Sequence, residues 1–124
     1  MLTNKNVEAI ITADDLDRAA NFYEEKLGLK EDTRTSGGLL LDAGNGTQLF
    51  IYEKPGAVRP DNTVVGFNVD DIEREVQELR SRGVTFEEYD MPGIKTDNGI
   101  AVFDWGKSAW FKDSEGNIIA LNQT

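Results

Sequence analysis

The sequence predicts an α+β fold of two tandem βαβββ modules, and two internal repeats are the basis of this prediction. Residues 13–18 read ADDLDR and residues 69–74 read VDDIER, so the same order of apolar, acidic and basic residues recurs 56 positions later. A second pair, GTQLFIY at 46–52 and GNIIALN at 116–122, recurs at an offset of 70. A longer inner loop in module two accounts for the larger offset.

Alternation in the first strand of each module separates a core face from a second face. We expect these strands at 7–12 and at 63–69. The core face is nearly all apolar and should pack against helices: Val7, Ala9, Ile11 and Ala13, then Thr63, Val65, Phe67 and Val69. The other face is small and mixed, which suits the wall of a cleft: Glu8, Ile10 and Thr12, then Val64, Gly66 and Asn68.

A helix follows each strand, capped by one aspartate of the repeated pair. Asp14 or Asp15 should begin a helix that ends near Leu27, before Gly28. Helical spacing gives its apolar stripe: Leu16, Ala19, Ala20, Tyr23 and Leu27. The second helix carries Ile72, Val76 and Leu79 and should stop at Gly83.

The remaining strands are expected at 29–34, 39–43, 47–53, 85–90, 100–105, 108–112 and 118–123. The last strands of the two modules should turn Leu49, Ile51, Ile119 and Leu121 toward the helices. The alternate residues should face the cleft: Gln48, Phe50 and Tyr52, then Ile118, Ala120 and Asn122. Gly-Asn-Gly at 44–46 predicts a hairpin turn, and 113–117 predicts another. Residues 91–99 contain one proline and two glycines and are interpreted as a mobile loop, which would serve as a lid.

Composition and charge limit the functions open to this chain. We expect one domain over 1–124, with module one at about 5–54, a linker at 55–62 and module two at about 63–124. The 13 basic and 23 acidic residues give a net charge of −10, which argues against nucleic acid as a partner. No apolar run is long enough for a membrane span, and the first residues lack a signal-peptide core, so a cytoplasmic protein is expected. The absence of cysteine and histidine excludes disulfides, thiolate chemistry and the commonest metal ligand and general base.

Three sequence segments resemble the vicinal oxygen chelate superfamily, which includes glyoxalase I, extradiol dioxygenases and bleomycin-resistance proteins. The first is DLDR at 15–18 with NFY at 21–23 and LGL at 27–29; the second is VDDI at 69–72. The third, WFKDSEGN at 110–117, is similar to the family's closing W-F-x-D-P-x-G-N pattern, with Ser114 in place of the proline. The resemblance covers nearly the whole chain and implies paired βαβββ modules whose curved mixed sheets enclose a cleft.

Metal-dependent members of that family take two ligands from each module. Carried over by the motifs, the four positions are Glu8, Phe50, Val64 and Ala120. Only Glu8 has a ligand atom, and one carboxylate with solvent makes a poor site. We therefore expect no metal and no cofactor, and metal-dependent glyoxalase or dioxygenase chemistry is disfavoured.

A member of this superfamily without a metal site resembles the bleomycin-resistance branch, whose members bind a small molecule and do not convert it chemically. Aromatic area and a few polar groups suit a small organic ligand, aromatic or cationic. The residues predicted to bind it are Glu8, Thr12, Gln48, Phe50, Tyr52, Asn68, Trp105, Trp110 and Asn122. Each aromatic ring has a plain core role as its alternative, and Trp110 belongs to the structural W-F motif.

Glu8 carries the catalytic alternative. In an apolar pocket it would act as acid or base in a glyoxalase-like lyase or isomerase on a small carbonyl compound. It would otherwise form an ion pair or hydrogen bond at the edge of the cleft. A third hypothesis is a non-catalytic interaction module. By family analogy we expect a homodimer, and the cleft could form within one chain or across the dimer.

Overall fold

The computed structural model describes residues 1–124, which form two compact units, 1–57 and 58–124. Each unit contains one mixed β-sheet and one main helix, which confirms the α+β prediction. The two units are described separately below. The prediction that they make a single domain stays a prediction. No helix is both long and apolar enough to cross a membrane.

Unit 1 has the predicted βαβββ order. Its elements are β1 (Ala9–Ala13), α1 (Leu16–Asn21), β2 (Lys30–Arg34), β3 (Gly38–Asp42) and β4 (Gln48–Glu53). The sheet order is β1-β4-β3-β2, in which β1 and β4 are parallel and the other neighbours are antiparallel. The predicted turn at 44–46 is a short 3₁₀ turn, and Asn45 takes the left-handed conformation (φ +56°) that asparagine tolerates.

Helix α1 begins as predicted but ends differently. The carboxylate of Asp15 accepts a hydrogen bond from the amide of Arg18 at 3.1 Å, which makes Asp15 the N-cap. After Asn21 the chain widens into a π-helical turn, Phe22–Lys26, instead of continuing as a regular α-helix to Leu27. This widened turn keeps Tyr23 fully buried, whereas Leu27 is half-buried.

The core of unit 1 lies between one face of the sheet and α1. The alternation predicted for the first and last strands is confirmed, since Ile11, Ala13, Leu49 and Ile51 are buried. Strand β3 adds Leu39 and Leu41 to the core. The helix contributes Leu16, Ala19, Ala20 and Tyr23. Val7 lies before β1 and is exposed, so its expected place on the core face is wrong.

Unit 2 contains a longer sheet. Its elements are β5 (Thr63–Asn68), α2 (Ile72–Ser81), β6 (Asp90–Met91), β7 (Ile94–Asp97), β8 (Ile100–Phe103), β9 (Gly106–Lys112) and β10 (Ile118–Gln123). The order is β5-β10-β9-β8-β7-β6, with β5 and β10 parallel. Asp71 caps α2 by accepting from the amide of Arg74 at 3.2 Å, and Gly83 lies just beyond the helix with φ +90°.

Residues 85–99 differ from the sequence prediction. The strand expected at 85–90 reduces to an isolated bridge between Phe86 and Phe111, followed by the two-residue β6. The expected mobile loop at 91–99 is instead the β6–β7 hairpin and the start of a second one. Asn98 and Gly99 both have positive φ (+52° and +80°), as a type I′ hairpin turn requires.

The core of unit 2 lies between α2 and one face of its sheet, but in β5 only Val65 is buried and Thr63 is exposed, so the expected place of Thr63 on the core face is wrong. Helix α2 buries Ile72, Val76 and Leu79, and β10 buries Ile119 and Leu121, as predicted. The predicted turn at 113–117 forms around Asp113, which is almost fully buried. Its carboxylate accepts hydrogen bonds from the amides of Glu115 (2.8 Å) and Asn117 (2.9 Å) and from the side chain of Asn117 (2.9 Å).

Candidate functional site: two aromatic sheet faces

The face of the unit 1 sheet that points away from α1 carries the predicted ligand-binding residues of module one. In β4, Gln48, Phe50 and Tyr52 alternate with the buried Leu49 and Ile51. The strand register places Ile10 and Leu40 beside Phe50, and Thr12 beside Tyr52. Ile10 is 59% exposed and Tyr52 37% exposed. This face therefore presents apolar and aromatic surface outside the core.

A cavity of about 430 Å³ lies on this face of unit 1. It is lined by Glu8, Ile10, Thr33, Thr35, Gly38, Leu40 and Phe50. Gly38 leaves room for the Phe50 ring, because a Cβ at position 38 would lie only 2.6 Å from Cζ of Phe50. Phe50 also stacks on Tyr52, with 6.3 Å between the ring centroids and 22° between their planes. We call this space the Phe50 cavity.

Two of the five module-one predictions line the Phe50 cavity, namely Glu8 and Phe50. Glu8 is exposed, so its carboxylate is accessible to a ligand. Thr12 and Tyr52 share the face but lie outside the lining. The amide nitrogen of Gln48 donates to carboxylates of Asp32 (2.9 Å) and Asp42 (3.0 Å), which commits that group to neighbouring side chains.

In unit 2, the face of the sheet opposite α2 carries Asn68, Trp110 and Asn122. Asn68 and Asn122 are neighbours in the β5–β10 register. Asn122 accepts a hydrogen bond of 2.6 Å from the hydroxyl of Ser108, a buried residue, so its oxygen is held in place. Ile118 and Ala120 were expected to line an open wall, but both are buried.

Four rings form a continuous row on this face, which we call the aromatic row: Tyr89, Trp110, Phe103 and Trp105. Their successive centroids are 5.4, 6.5 and 5.3 Å apart. Trp105, at the turn between β8 and β9, stacks on Phe103 with 6° between the planes and is 53% exposed. The two predicted tryptophans are thus linked through Phe103, which was not predicted as a site residue.

Burial raises the pKa of the Tyr89 phenol, and the negative charge of Glu87 raises it further. The phenol therefore stays neutral across the physiological range and keeps a hydroxyl donor at one end of the aromatic row.

Sequence reasoning missed several residues that shape the two faces: Thr33, Thr35, Leu40, Tyr89, Met91, Ile94 and Phe103. Strand parity was a usable signal for Leu40, because Leu39 and Leu41 flank it and are buried. For Ile94, the signals were the Pro92-Gly93 and Asn98-Gly99 pairs, which mark hairpin turns rather than a loop.

Four positions are those that the sequence motifs equate with family metal ligands, namely Glu8, Phe50, Val64 and Ala120, and among them only Glu8 offers a donor side chain. Phe50 lines the Phe50 cavity, Ala120 is buried and Val64 is half-buried. None of these three has an atom that binds a cation. No group of three or more acidic side chains is arranged to hold a metal ion. The residues present at these positions therefore do not fit the family's metal site.

Both units begin with a strand and a helix, and in both the last strand lies parallel to the first. This shared plan, with two extra short strands in unit 2, is that of a protein built from paired βαβββ modules. The chain belongs to the Glyoxalase/Bleomycin resistance protein/Dioxygenase superfamily, whose family model matches residues 6–121. This match confirms the resemblance read from the sequence motifs. A search among curated protein sequences finds no match.

Solved structures share the fold across nearly the whole chain. A bleomycin resistance determinant encoded on the transposon Tn5 has 23% identity and a TM-score of 0.75, covering 98% of both chains. TnmS3, an antibiotic-binding protein from a Streptomyces species, has 25% identity and a TM-score of 0.68, again covering 98% of both. The fosfomycin resistance protein FosX from Mesorhizobium loti has 17% identity and a TM-score of 0.69, covering 98% of this chain and 92% of its own.

Proposed function

We propose that this protein binds a small organic molecule in the Phe50 cavity, without a resident metal and without chemical conversion. The observation that carries the proposal is the role of Phe50. Its ring forms a wall of an apolar cavity, at a position that the sequence motifs equate with a metal ligand of metal-dependent relatives. Where a metal-binding side chain is replaced by a phenylalanine ring, a metal ligand is lost and apolar surface that can contact an organic ligand is gained.

The cavity has the composition of a ligand site. Ile10, Leu40 and Phe50 supply apolar surface, and the hydroxyls of Thr33 and Thr35 supply hydrogen-bonding groups. Glu8 supplies the single charge, and no basic side chain lines the cavity. A volume of about 430 Å³ is within the range of sites for drug-sized ligands. The ligand expected from this lining is aromatic or cationic, or both.

Two of the similar structures support a binding role: one is a bleomycin resistance determinant and the other an antibiotic-binding protein. We extend the proposal to a homodimer acting in the cytoplasm. Sedimentation equilibrium of the purified protein would test the dimer, and a monomeric mass throughout the concentration range would reject it.

The first experiment tests the metal. Elemental analysis of the purified protein should find no stoichiometric transition metal, and neither divalent metals nor EDTA should shift its melting temperature. Stoichiometric metal would contradict the proposal. A strong rise in melting temperature with a metal would also contradict it, because a ligand that binds only the folded state stabilises that state.

The second experiment tests the cavity. A thermal-shift screen of aromatic and cationic drugs should yield ligands, and calorimetry should then give their affinities. Phe50→Leu should weaken binding by about tenfold, since a well-packed ring contributes more than its area alone. The matched control is Phe22→Leu, which removes a half-buried ring on the helix side of the same unit. Equal losses for both variants would reject the Phe50 cavity as the site.

Glu8 supports a second candidate function, because its accessible carboxylate lines the same cavity as Phe50. As a general base it would take a proton from the carbon beside a carbonyl group and return it elsewhere on the substrate, which is an isomerisation. Glu8→Gln should then abolish turnover while binding is largely kept. If the protein only binds, Glu8→Gln should weaken cationic ligands and leave neutral ones unaffected.

A further inference from the structure

A cavity of about 520 Å³ lies in unit 2 beside the C-terminal end of α2. Its lining comes from that end of the helix, the segment that follows it and the turn between β7 and β8. Phe86, one of the lining residues, contacts the ring of Phe111, which is fully buried and alternates along β9 with Trp110 of the aromatic row. The cavity, which we call the Arg80 cavity, is therefore on the α2 side of the sheet and not on the side that carries the aromatic row.

We propose that the Arg80 cavity binds a free α-amino acid, whose carboxylate pairs with Arg80 and whose ammonium group pairs with Glu88. This site does not depend on the function proposed for the Phe50 cavity, because the two cavities share no lining residue and belong to different units.

Arg80 is held in place without a carboxylate partner. Its Nη2 atom donates a hydrogen bond of 2.9 Å to the carbonyl oxygen of Asn98, and its guanidinium carbon lies 5.5 Å from the centre of the Phe86 ring. The side chain forms no ion pair. Most of the N–H donors of the guanidinium therefore remain available, in a planar arrangement that matches a carboxylate.

Glu88 supplies the opposite charge. Its Oε2 atom accepts a hydrogen bond of 3.3 Å from the hydroxyl of Thr96, a buried residue, and it also forms no ion pair. The absence of a side chain at Gly99 lets both charged groups lie close to the same turn. A Cβ there would be 2.9 Å from Nη2 of Arg80 and 3.5 Å from Oε1 of Glu88. The two charged groups are therefore neighbours that do not pair directly.

This pair of charges favours a zwitterion over a simple ion. Arg80 and Glu88 are the charged side chains of the lining, so Glu88 repels a lone anion and Arg80 repels a lone cation. An α-amino acid carries a carboxylate and an ammonium group on one carbon atom and can pair with both side chains at once. Its zero net charge also avoids the repulsion that the protein's net charge of −10 imposes on anions.

The other lining residues suit the polar end of such a ligand. Thr85 and Asn98 are exposed and supply a hydroxyl and a side-chain amide, whereas Val84 and Phe86 are buried and form an apolar floor. The volume leaves room beyond the charged groups for the side chain of the amino acid. An occupant would connect the end of α2 to the β7–β8 turn, so binding should raise the melting temperature.

The test is calorimetric titration of the full-length protein with three matched probes: leucine, leucinamide, which lacks the carboxylate, and N-acetylleucine, which lacks the ammonium group. Leucine should bind most tightly. Arg80→Gln should weaken leucine by about five- to tenfold, between the effect of an exposed ion pair and that of a charged hydrogen bond. The matched control is Arg82→Gln, which removes an exposed arginine that pairs with Glu78 and should change the affinity by less than about twofold.

A second pair of variants tests the ammonium contact. Glu88→Gln should weaken leucine by about five- to tenfold as well, but should not weaken N-acetylleucine, which has no ammonium group. The control is Glu75→Gln, which removes an exposed carboxylate of α2 outside the lining and should have little effect.

Amide NMR spectra of the full-length protein locate the bound probe. Leucine should shift the resonances of Gly83 and Asn98, which line the Arg80 cavity, and leave that of Gly38, which lines the Phe50 cavity. Any of three results would overturn the proposal: no binding of leucine, equal affinities for the three probes, or equal effects of Arg80→Gln and Arg82→Gln. Shifts confined to Gly38 would assign leucine to the Phe50 cavity, which would reject this site while leaving the proposed function in place.

Discussion

Gly106 lies where the structure leaves almost no room for a side chain. A Cβ there would lie 2.0 Å from the carbonyl oxygen of Gln123 and 3.0 Å from Cα of Thr124. The backbone of Gln123 is restrained, because its side-chain oxygen accepts a hydrogen bond of 2.8 Å from the amide of Ile72. Gly106 also has φ +152°, a conformation that residues with a Cβ rarely adopt.

The magnitude for Gly106→Ala follows from these two costs. An unfavourable backbone conformation costs about 1–2 kcal/mol, and insertion of a methyl group into occupied space costs about 1–3 kcal/mol. We therefore expect a loss of about 2–5 kcal/mol in the free energy of unfolding. The control is Gly93→Ala, which also has positive φ (+87°) but no atom within 4 Å of the added Cβ. It should cost only the backbone term, about 1–2 kcal/mol.

Urea denaturation followed by tryptophan fluorescence measures this difference directly. Both tryptophans of the chain, Trp105 and Trp110, lie in unit 2, so the signal reports the unit that contains both glycines. Gly106→Ala should unfold at a clearly lower urea concentration than Gly93→Ala. If the two variants unfold together, the contact between Gly106 and Gln123 does not limit side-chain size and the reasoning fails.

Three further predictions concern a ring, an ion pair and a turn. Gly38→Ala should push the Phe50 ring out of place and weaken ligands of the Phe50 cavity in calorimetry, with little loss of stability, because the ring end can swing away. The hydrogen bond from Lys107 and its positive charge lower the pKa of Glu73. This ion pair therefore stabilises the folded state at neutral pH, and the stabilisation is lost as pH falls through the lowered pKa. The difference in melting temperature between wild type and Glu73→Gln should therefore vanish in acid. Asp113→Asn should cost about 1–3 kcal/mol in urea denaturation, because one of the two buried acceptor oxygens becomes an NH₂ donor that faces a donor nitrogen of Glu115 or Asn117; an unchanged midpoint would contradict this.

The repeated helix caps could be predicted from the sequence because the interactions that form them are local. Asp15 and Asp71 each reach an amide three residues ahead, and nothing distant in the chain is needed to place them. Strand parity was equally accessible, since buried Leu49 and Ile51 fix the direction of Phe50. The direction of the Phe50 side chain therefore follows from the sequence alone.

The cavities could not be predicted in the same way, because they depend on strand pairing. Leu40 reaches Phe50 through the register of β3 on β4, which the sequence does not state. Tyr89 meets Trp110 because the segment before it pairs with β9, where Phe86 bridges Phe111 and the amide of Glu87 donates to the carbonyl of Trp110. The π-helical turn at Phe22–Lys26 was also missed, since the spacing of Tyr23 and Leu27 fits a regular helix as well.

The outer strands of the two sheets bear on how this chain behaves at high concentration. Strand β2 is exposed along its whole length and reads Lys-Glu-Asp-Thr-Arg, while β6 at the far edge of the other sheet is only two residues long. A charged strand and a very short one are poor templates for adding a strand from another molecule. Addition of a strand from another molecule is thereby discouraged at these two edges, which leaves β1 and β5, the apolar strands at the opposite edges, as the places where such pairing would start.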